Sequence, residues 1–145
     1  PCVNFVTGCR KGDILISNIR PYFKKIVYCT TEGGCSSDVL CFHPRENTYS
    51  AWLYSSLYSD DFFNYVMQGS KGTKMPRGDK SHIMKYGIYV LSEKDLLQFN
   101  ELAVPMLSLI SHRGYENQKI NKLRDCLLAK LMNGEIDLGK LGKLA

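Results

Sequence analysis

Apolar positions along this 145-residue chain follow two different rhythms. Up to about Leu91 they come in short runs separated by glycine, proline and polar turns; beyond it they recur three or four residues apart. In the first stretch, Asp13 to Ile19 is apolar and β-branched, broken by Ser17-Asn18, and reads as a short strand entering a turn. Arg20-Pro21 favours an extended or turn conformation, because the residue before proline avoids the helical region. Ile26-Val27-Tyr28 is strand material, Glu32-Gly33-Gly34 a turn, and Ser37 to Phe42 a further strand ending at His43-Pro44. Thr48 to Tyr58 reads as a helix with Trp52, Leu53, Ser56 and Leu57 on one face, and Ser59-Asp60-Asp61 caps a second from about Phe62 to Gln68. A glycine-rich loop follows, then a helical turn over Asp79 to Lys85 and a last strand over Gly87 to Leu91. The pattern predicts an α+β (mixed α/β) domain over residues 1–91, with a small, mostly antiparallel sheet and flanking helices.

The second stretch begins at Ser92-Glu93-Lys94-Asp95, with acids in a first turn where the helix dipole favours them. Phe99, Leu102, Met106, Leu109, Arg113, Ile120, Leu123, Leu127 and Leu131 then mark one long helix. Pro105 should kink or break it, Gly114 weakens its middle, and Asn133-Gly134 stops it. The helix spans residues 92–137 in this reading, with 138–145 a frayed tail. It either lies against its own domain or presents a seam to a partner helix. A domain of this size cannot cover so long a seam, so Leu102, Met106, Leu109, Ile120, Leu123, Leu127 and Leu131 are candidate contacts in a coiled coil.

Charge adds a direction. The formal net charge is +5, with 11 Lys/Arg against 7 Asp/Glu in residues 1–91 but 8 against 7 in residues 92–145. The excess lies in the domain that carries Gly69-Ser70-Lys71-Gly72-Thr73-Lys74-Met75-Pro76-Arg77-Gly78-Asp79-Lys80. Glycines let backbone approach a ligand, Pro76 excludes a through-running helix, and four cations cannot all be buried unpaired. Such a loop suits a polyanion; its plain alternative is a solvated turn with surface lysines. Lys71, Lys74, Arg77 and Lys80 are candidate phosphate anchors, with Thr73 among them, and Arg77, Gln68 and Ser70 are candidates for base edges. Arg20, Lys24 and Lys25 form a second basic patch, although Arg20 has an alternative role as an ion-pair partner of Asp38.

Candidate catalytic chemistry is sparse. There is no Gly-x-Ser-x-Gly elbow, Walker loop or GxGxxG after a strand, and no Asn-Pro-Pro-Tyr methyltransferase motif. His43, His82 and His112 are scattered. Of the six cysteines, Cys29, Cys35 and Cys41 cluster near His43 but lack zinc-knuckle spacing, and Cys41 reads as a small apolar strand residue, so no metal is expected. The chain has no apolar run of membrane-spanning length, and Pro1 to Phe5 lacks the pattern of a secretory signal. Reduced thiols and a cytoplasmic location are therefore expected.

Three segments in order carry a resemblance: Lys11 to Tyr22 followed by Gly33 to Leu40, then Gly69 to Lys80, then Glu116 to Ile136. Together they resemble the specificity subunits of bacterial and archaeal type I restriction-modification systems, over about Gly12 to Leu138. The resemblance implies a target recognition domain followed by a spacer helix. It implies sequence-specific binding of double-stranded DNA, directing adenine methylation and restriction by methyltransferase and restriction subunits. S-adenosylmethionine, Mg and ATP would then bind those partners, leaving this chain non-catalytic and without a cofactor. Asn18, Arg20, Gly33, Gly34, Ser36, Ser37 and Asp38 match the family pattern as structural positions. Val90-Leu91-Ser92-Glu93 replaces the proline-rich junction common in that family, and Gly114-Tyr115 interrupts a helix that is usually smoother. Members usually carry more recognition domain upstream, so the chain is expected to be a fragment or a half-length form that dimerises through its helix. A helical interaction module without DNA binding is the alternative, and an enzyme with its site upstream a third.

Overall fold

The computed structural model describes residues 6–136. It is an α+β protein of two small antiparallel sheets and four helices among the described residues. Strands β1 (Thr7–Cys9) and β4 (Gly33–Cys35) form a two-stranded ribbon. Strands β2 (Ile14–Ser17), β3 (Ile26–Tyr28) and β5 (Val39–Phe42) form a sheet in the order β3-β2-β5. Helices α1 (Ser50–Leu57), α2 (Asp60–Gln68), α3 (Lys80–Ile83) and α4 (Glu93–Met132) follow.

Period-two alternation decides which face of the three-stranded sheet is buried. The β2–β5 register pairs Ile14 with Phe42 and Ile16 with Leu40. These residues point to one face, where Ile14 and Ile16 join Leu57, Phe62, Phe63, Val66 and Ile83 in the core. The residues between them, Leu15 and Cys41, pair on the opposite face. Phe62 anchors the core: it is fully buried and meets Phe63 and Tyr86 edge-on at 5.3 and 5.1 Å. Ser59 caps α2 as predicted, its hydroxyl accepting from the Phe62 amide at 3.2 Å.

Two expectations change and a third is narrowed. Gly33-Gly34 is strand rather than turn: Gly34 pairs with Gly8, and a Cβ at Gly34 would meet the Val6 side chain, so only bare backbone fits between the strands. Gly87 to Leu91 forms no strand: the Tyr89 carbonyl accepts from the Trp52 indole at 2.8 Å and Ile88 packs against the core, while the Tyr89 and Val90 side chains are exposed. The helix does not break at Pro105; α4 runs through it, since a missing amide removes one hydrogen bond while the turns on each side keep theirs. The helix closes as predicted at Gly134, whose φ of 73° lets the Glu135 amide reach the Lys130 carbonyl at 3.0 Å.

The chain divides into two compact units, Pro1–Leu107 and Ser108–Ala145. Within the first, α4 begins by docking on the domain. Leu96 is buried, Phe99 meets Trp52 edge-on at 5.2 Å, and the Asn100 amide donates to the Thr48 carbonyl at 2.8 Å. Within the second, Ile120, Leu123 and Leu127 are exposed, and Arg113 and Glu116 form an ion pair at 2.8 Å. The tail expected to fray, 138–145, lies outside the described residues. No helix among the described residues is long and apolar enough to cross a membrane.

Candidate nucleic-acid interface

The glycine-rich loop is a closed hairpin tied to the body of the domain. Lys71 and Arg77 exchange backbone hydrogen bonds, each 2.9 Å, which brings together the two ends of the segment Gly72 to Pro76. Gly72 has φ of 94°, a conformation that L side chains rarely adopt and that lets the chain reverse there. The loop is then pinned by two further bonds: the Arg20 amide donates to the Pro76 carbonyl at 2.8 Å, and the Gly78 amide to the Asn18 carbonyl at 3.1 Å. Gly78 is buried where a Cβ would sit 2.7 Å from Asn18 Oδ1 and 2.8 Å from Ile83 Cδ1. A side chain there would push the loop off the core. Asn18 thus joins three segments, since its own amide donates to the Asp38 carbonyl at 2.9 Å.

These ties put two basic segments side by side. Arg20 and Lys24 flank the short 3-10 turn Pro21–Phe23 with φ of 51° and 50°, left-handed conformations costing about 1–2 kcal/mol each for residues other than glycine. The turn is held by buried Pro21 and by its packing on α2. Its cations therefore stand on a fixed base rather than a free loop.

The predicted cations differ in what already neutralises them. Lys71 reaches Asp79 at 2.9 Å, Arg77 reaches Asp38 at 3.2 Å, and Lys24 reaches Asp60 at 2.6 Å. Asp38 thus pairs with Arg77 and not with Arg20. Lys25 lies over the Phe23 ring at 5.7 Å. Arg20, Lys74 and Lys80 are exposed and form no ion pair among the described residues. Thr73 and Gln68 are exposed, whereas the Ser70 hydroxyl is half-buried and donates to the Met67 carbonyl at 2.8 Å. Asp79 caps α3 by accepting from the Ser81 and His82 amides, and the Lys71 ammonium, followed by these two amide bonds, holds its carboxyl below the usual range. His82 is part of the scaffold: its ring stacks on Tyr65 at 4.1 Å and its Nε2 lies 3.0 Å from the Tyr65 carbonyl.

The helix candidates are open. Leu102, Met106, Leu109, Ile120, Leu123 and Leu127 are all exposed, and Leu131 is half-buried.

One group was not assembled from the sequence. Extending the β2–β5 register by one residue places Asp13 opposite His43, on the face that carries Cys41. Asp13 is buried, and its carboxylate lies 2.7 Å from His43 Nδ1, 3.7 Å from Cys41 Sγ and 2.5 Å from the Arg10 amide. Burial acts to raise this carboxyl, but the Arg10, His43 and Cys41 bonds and the His43 charge outweigh it, leaving it below its ordinary value. Burial and the Asp13 charge push the Cys41 thiol up to about 11. Cysteine spacing alone could not reveal this group, because Asp13 is 28 residues before Cys41.

Comparison with known proteins gives one distant relative. Over 132 residues the chain is 23% identical to the type I restriction enzyme EcoDI specificity subunit of Escherichia coli, a match covering 86% of this chain and 29% of that protein. The chain therefore spans less than a third of that curated relative's length. No family model matches.

Proposed function

We propose that this chain is a DNA-binding specificity module of a type I restriction-modification system, reading double-stranded DNA for methyltransferase and restriction subunits. The observation that carries this reading is the similarity to a specificity subunit across 86% of the chain. The geometry supports it through the loop Gly69 to Lys80, pinned beside Arg20 so that unpaired cations from both segments share a neighbourhood. In this reading Arg20, Lys74 and Lys80 engage phosphates first. Lys71, Arg77 and Lys24 hold the patch in shape and exchange their acidic partners for phosphate on binding, and Lys25 adds its charge from over the Phe23 ring. Gln68 and Thr73 offer side chains to base edges, and methyl transfer and cleavage belong to partner subunits.

The domain boundaries follow the same reading, with residues 1–91 as the recognition domain, 92–137 as a spacer helix and 138–145 as a tail. The exposure of Leu102, Met106, Leu109, Ile120, Leu123 and Leu127 supports a helical partner, either the matching helix of a longer polypeptide or a second copy of this chain. The same exposure favours the second reading, a helix-pairing module without DNA binding. Titrating the protein into a mixed-sequence duplex at rising salt separates the two. Tight binding at low salt that falls steeply with added salt supports recognition of DNA, and no binding at low salt leaves only the module.

A further inference from the structure

We infer that Asp13, Cys41 and His43 form a binding site for one zinc-class divalent transition-metal ion. Cys41 lies in β5, Asp13 immediately precedes β2 and His43 immediately follows β5, so the pairing of these two adjacent strands brings the donors together. Their ligand atoms all lie within 4.8 Å of one another. Cys41 Sγ is 3.7 Å from Asp13 Oδ2 and 4.0 Å from His43 Nε2. Tetrahedral zinc with ordinary bond lengths sets its sulfur about 3.5 Å from a nitrogen or oxygen ligand, and nitrogen about 3.3 Å from oxygen. The sulfur contact uses Nε2 of His43 and the carboxylate contact uses Nδ1, and a single ring nitrogen ligates one ion, so the half-exposed His43 side chain turns to bring that nitrogen to both partners as its hydrogen bond to Asp13 gives way to metal bonds.

The donor set selects the ion. A thiolate, an imidazole and a carboxylate suit zinc and its tetrahedral analogues, whereas calcium and magnesium demand oxygen throughout. Access is also provided: Asp13 is 5% exposed but His43 is 46% exposed, so an ion enters from the His43 side and keeps solvent in the fourth position. Uptake of the ion releases the Cys41 thiol proton to solvent and joins the start of β2 to the end of β5. The site lies away from the basic loop in sequence and does not depend on the DNA-binding reading.

The full chain, stripped with a chelator, is titrated with Co2+ and then with Zn2+. One Co2+ per chain is expected, with the thiolate-to-cobalt charge-transfer and visible absorption of a four-coordinate site, lost when Zn2+ displaces it. Cys41→Ser and His43→Gln should each weaken Co2+ binding by about 100-fold or more, while Cys126→Ser, at an exposed cysteine of α4, leaves it unchanged. Circular dichroism checks that each variant folds. If Cys41→Ser does not fold, His43→Gln decides, since its side chain is half-exposed. A folded wild-type chain without stoichiometric uptake, uptake without the thiolate band, or a folded His43→Gln variant that binds Co2+ like wild type overturns the assignment.

Discussion

Replacing Arg20, Lys74 and Lys80 together by Ala should weaken DNA binding and flatten its salt dependence. These three cations are exposed and without ion pairs among the described residues, so their removal strips charge without orphaning an acid. Each phosphate contact contributes about −0.9 to the slope of log K against log salt, so three contacts contribute about −2.7. At about 0.15 M salt, counterion release from three contacts corresponds to about 150-fold in affinity, or about 3 kcal/mol. Between about 50 and 200 mM salt the wild-type chain should therefore lose about 40-fold more affinity than the triple variant. Fluorescence anisotropy of a labelled mixed-sequence duplex, read at several salt concentrations, measures both quantities. The variant should melt at the wild-type temperature, because none of the three side chains is buried. A triple variant with unchanged slope and affinity would show that this surface does not face DNA.

Gly78→Ala places a methyl within 3.1 Å of Asn18, Ile83 and Val66, so we expect a loss of about 1–3 kcal/mol in urea unfolding. Asp79→Asn removes the Lys71 ion pair and weakens the cap of α3. Because the native Asp79 carboxyl titrates below its ordinary value of 3.8, its contribution is complete above that value and is lost as pH falls through the lowered native one. Urea midpoints should therefore separate wild type from Asp79→Asn at neutral pH and converge in acid; a separation that grows in acid refutes the sign. Leu123→Ser with Leu127→Ser should convert any helix-mediated dimer to monomer in sedimentation velocity, and a variant that sediments as an unchanged dimer removes this seam from the interface.

Local rules reached far in this chain. Ser59 caps α2 because its hydroxyl is placed to accept an orphan amide, and Gly134 ends α4 because it tolerates positive φ; both depend on a few neighbouring residues. The strands around Ile14 and Ile26 and the two short helices follow from apolar spacing for the same reason. The failures share an opposite cause. Gly33-Gly34 has the composition of a turn, and only the distant strand Thr7–Cys9 makes it a ladder. Gly87 to Leu91 has the composition of a strand, yet among the described residues no strand pairs with it, and Trp52 takes one of its carbonyls.

The candidate site divides in the same way. Composition identified the cations between Gly69 and Lys80, since charge and glycine content are properties of the residues themselves. Which of those cations is already paired was a matter of tertiary contact: Asp38, Asp60 and Asp79 choose Arg77, Lys24 and Lys71 by where the backbone delivers them. The α+β texture, the long helix and the basic character of the loop were legible in the residues alone, because each rests on periodicity or composition within one segment. That Arg20 stands beside that loop and that Asp13 meets Cys41 and His43 emerges with folding, because pairing register between separate strands and bonds between distant segments are set by the whole fold.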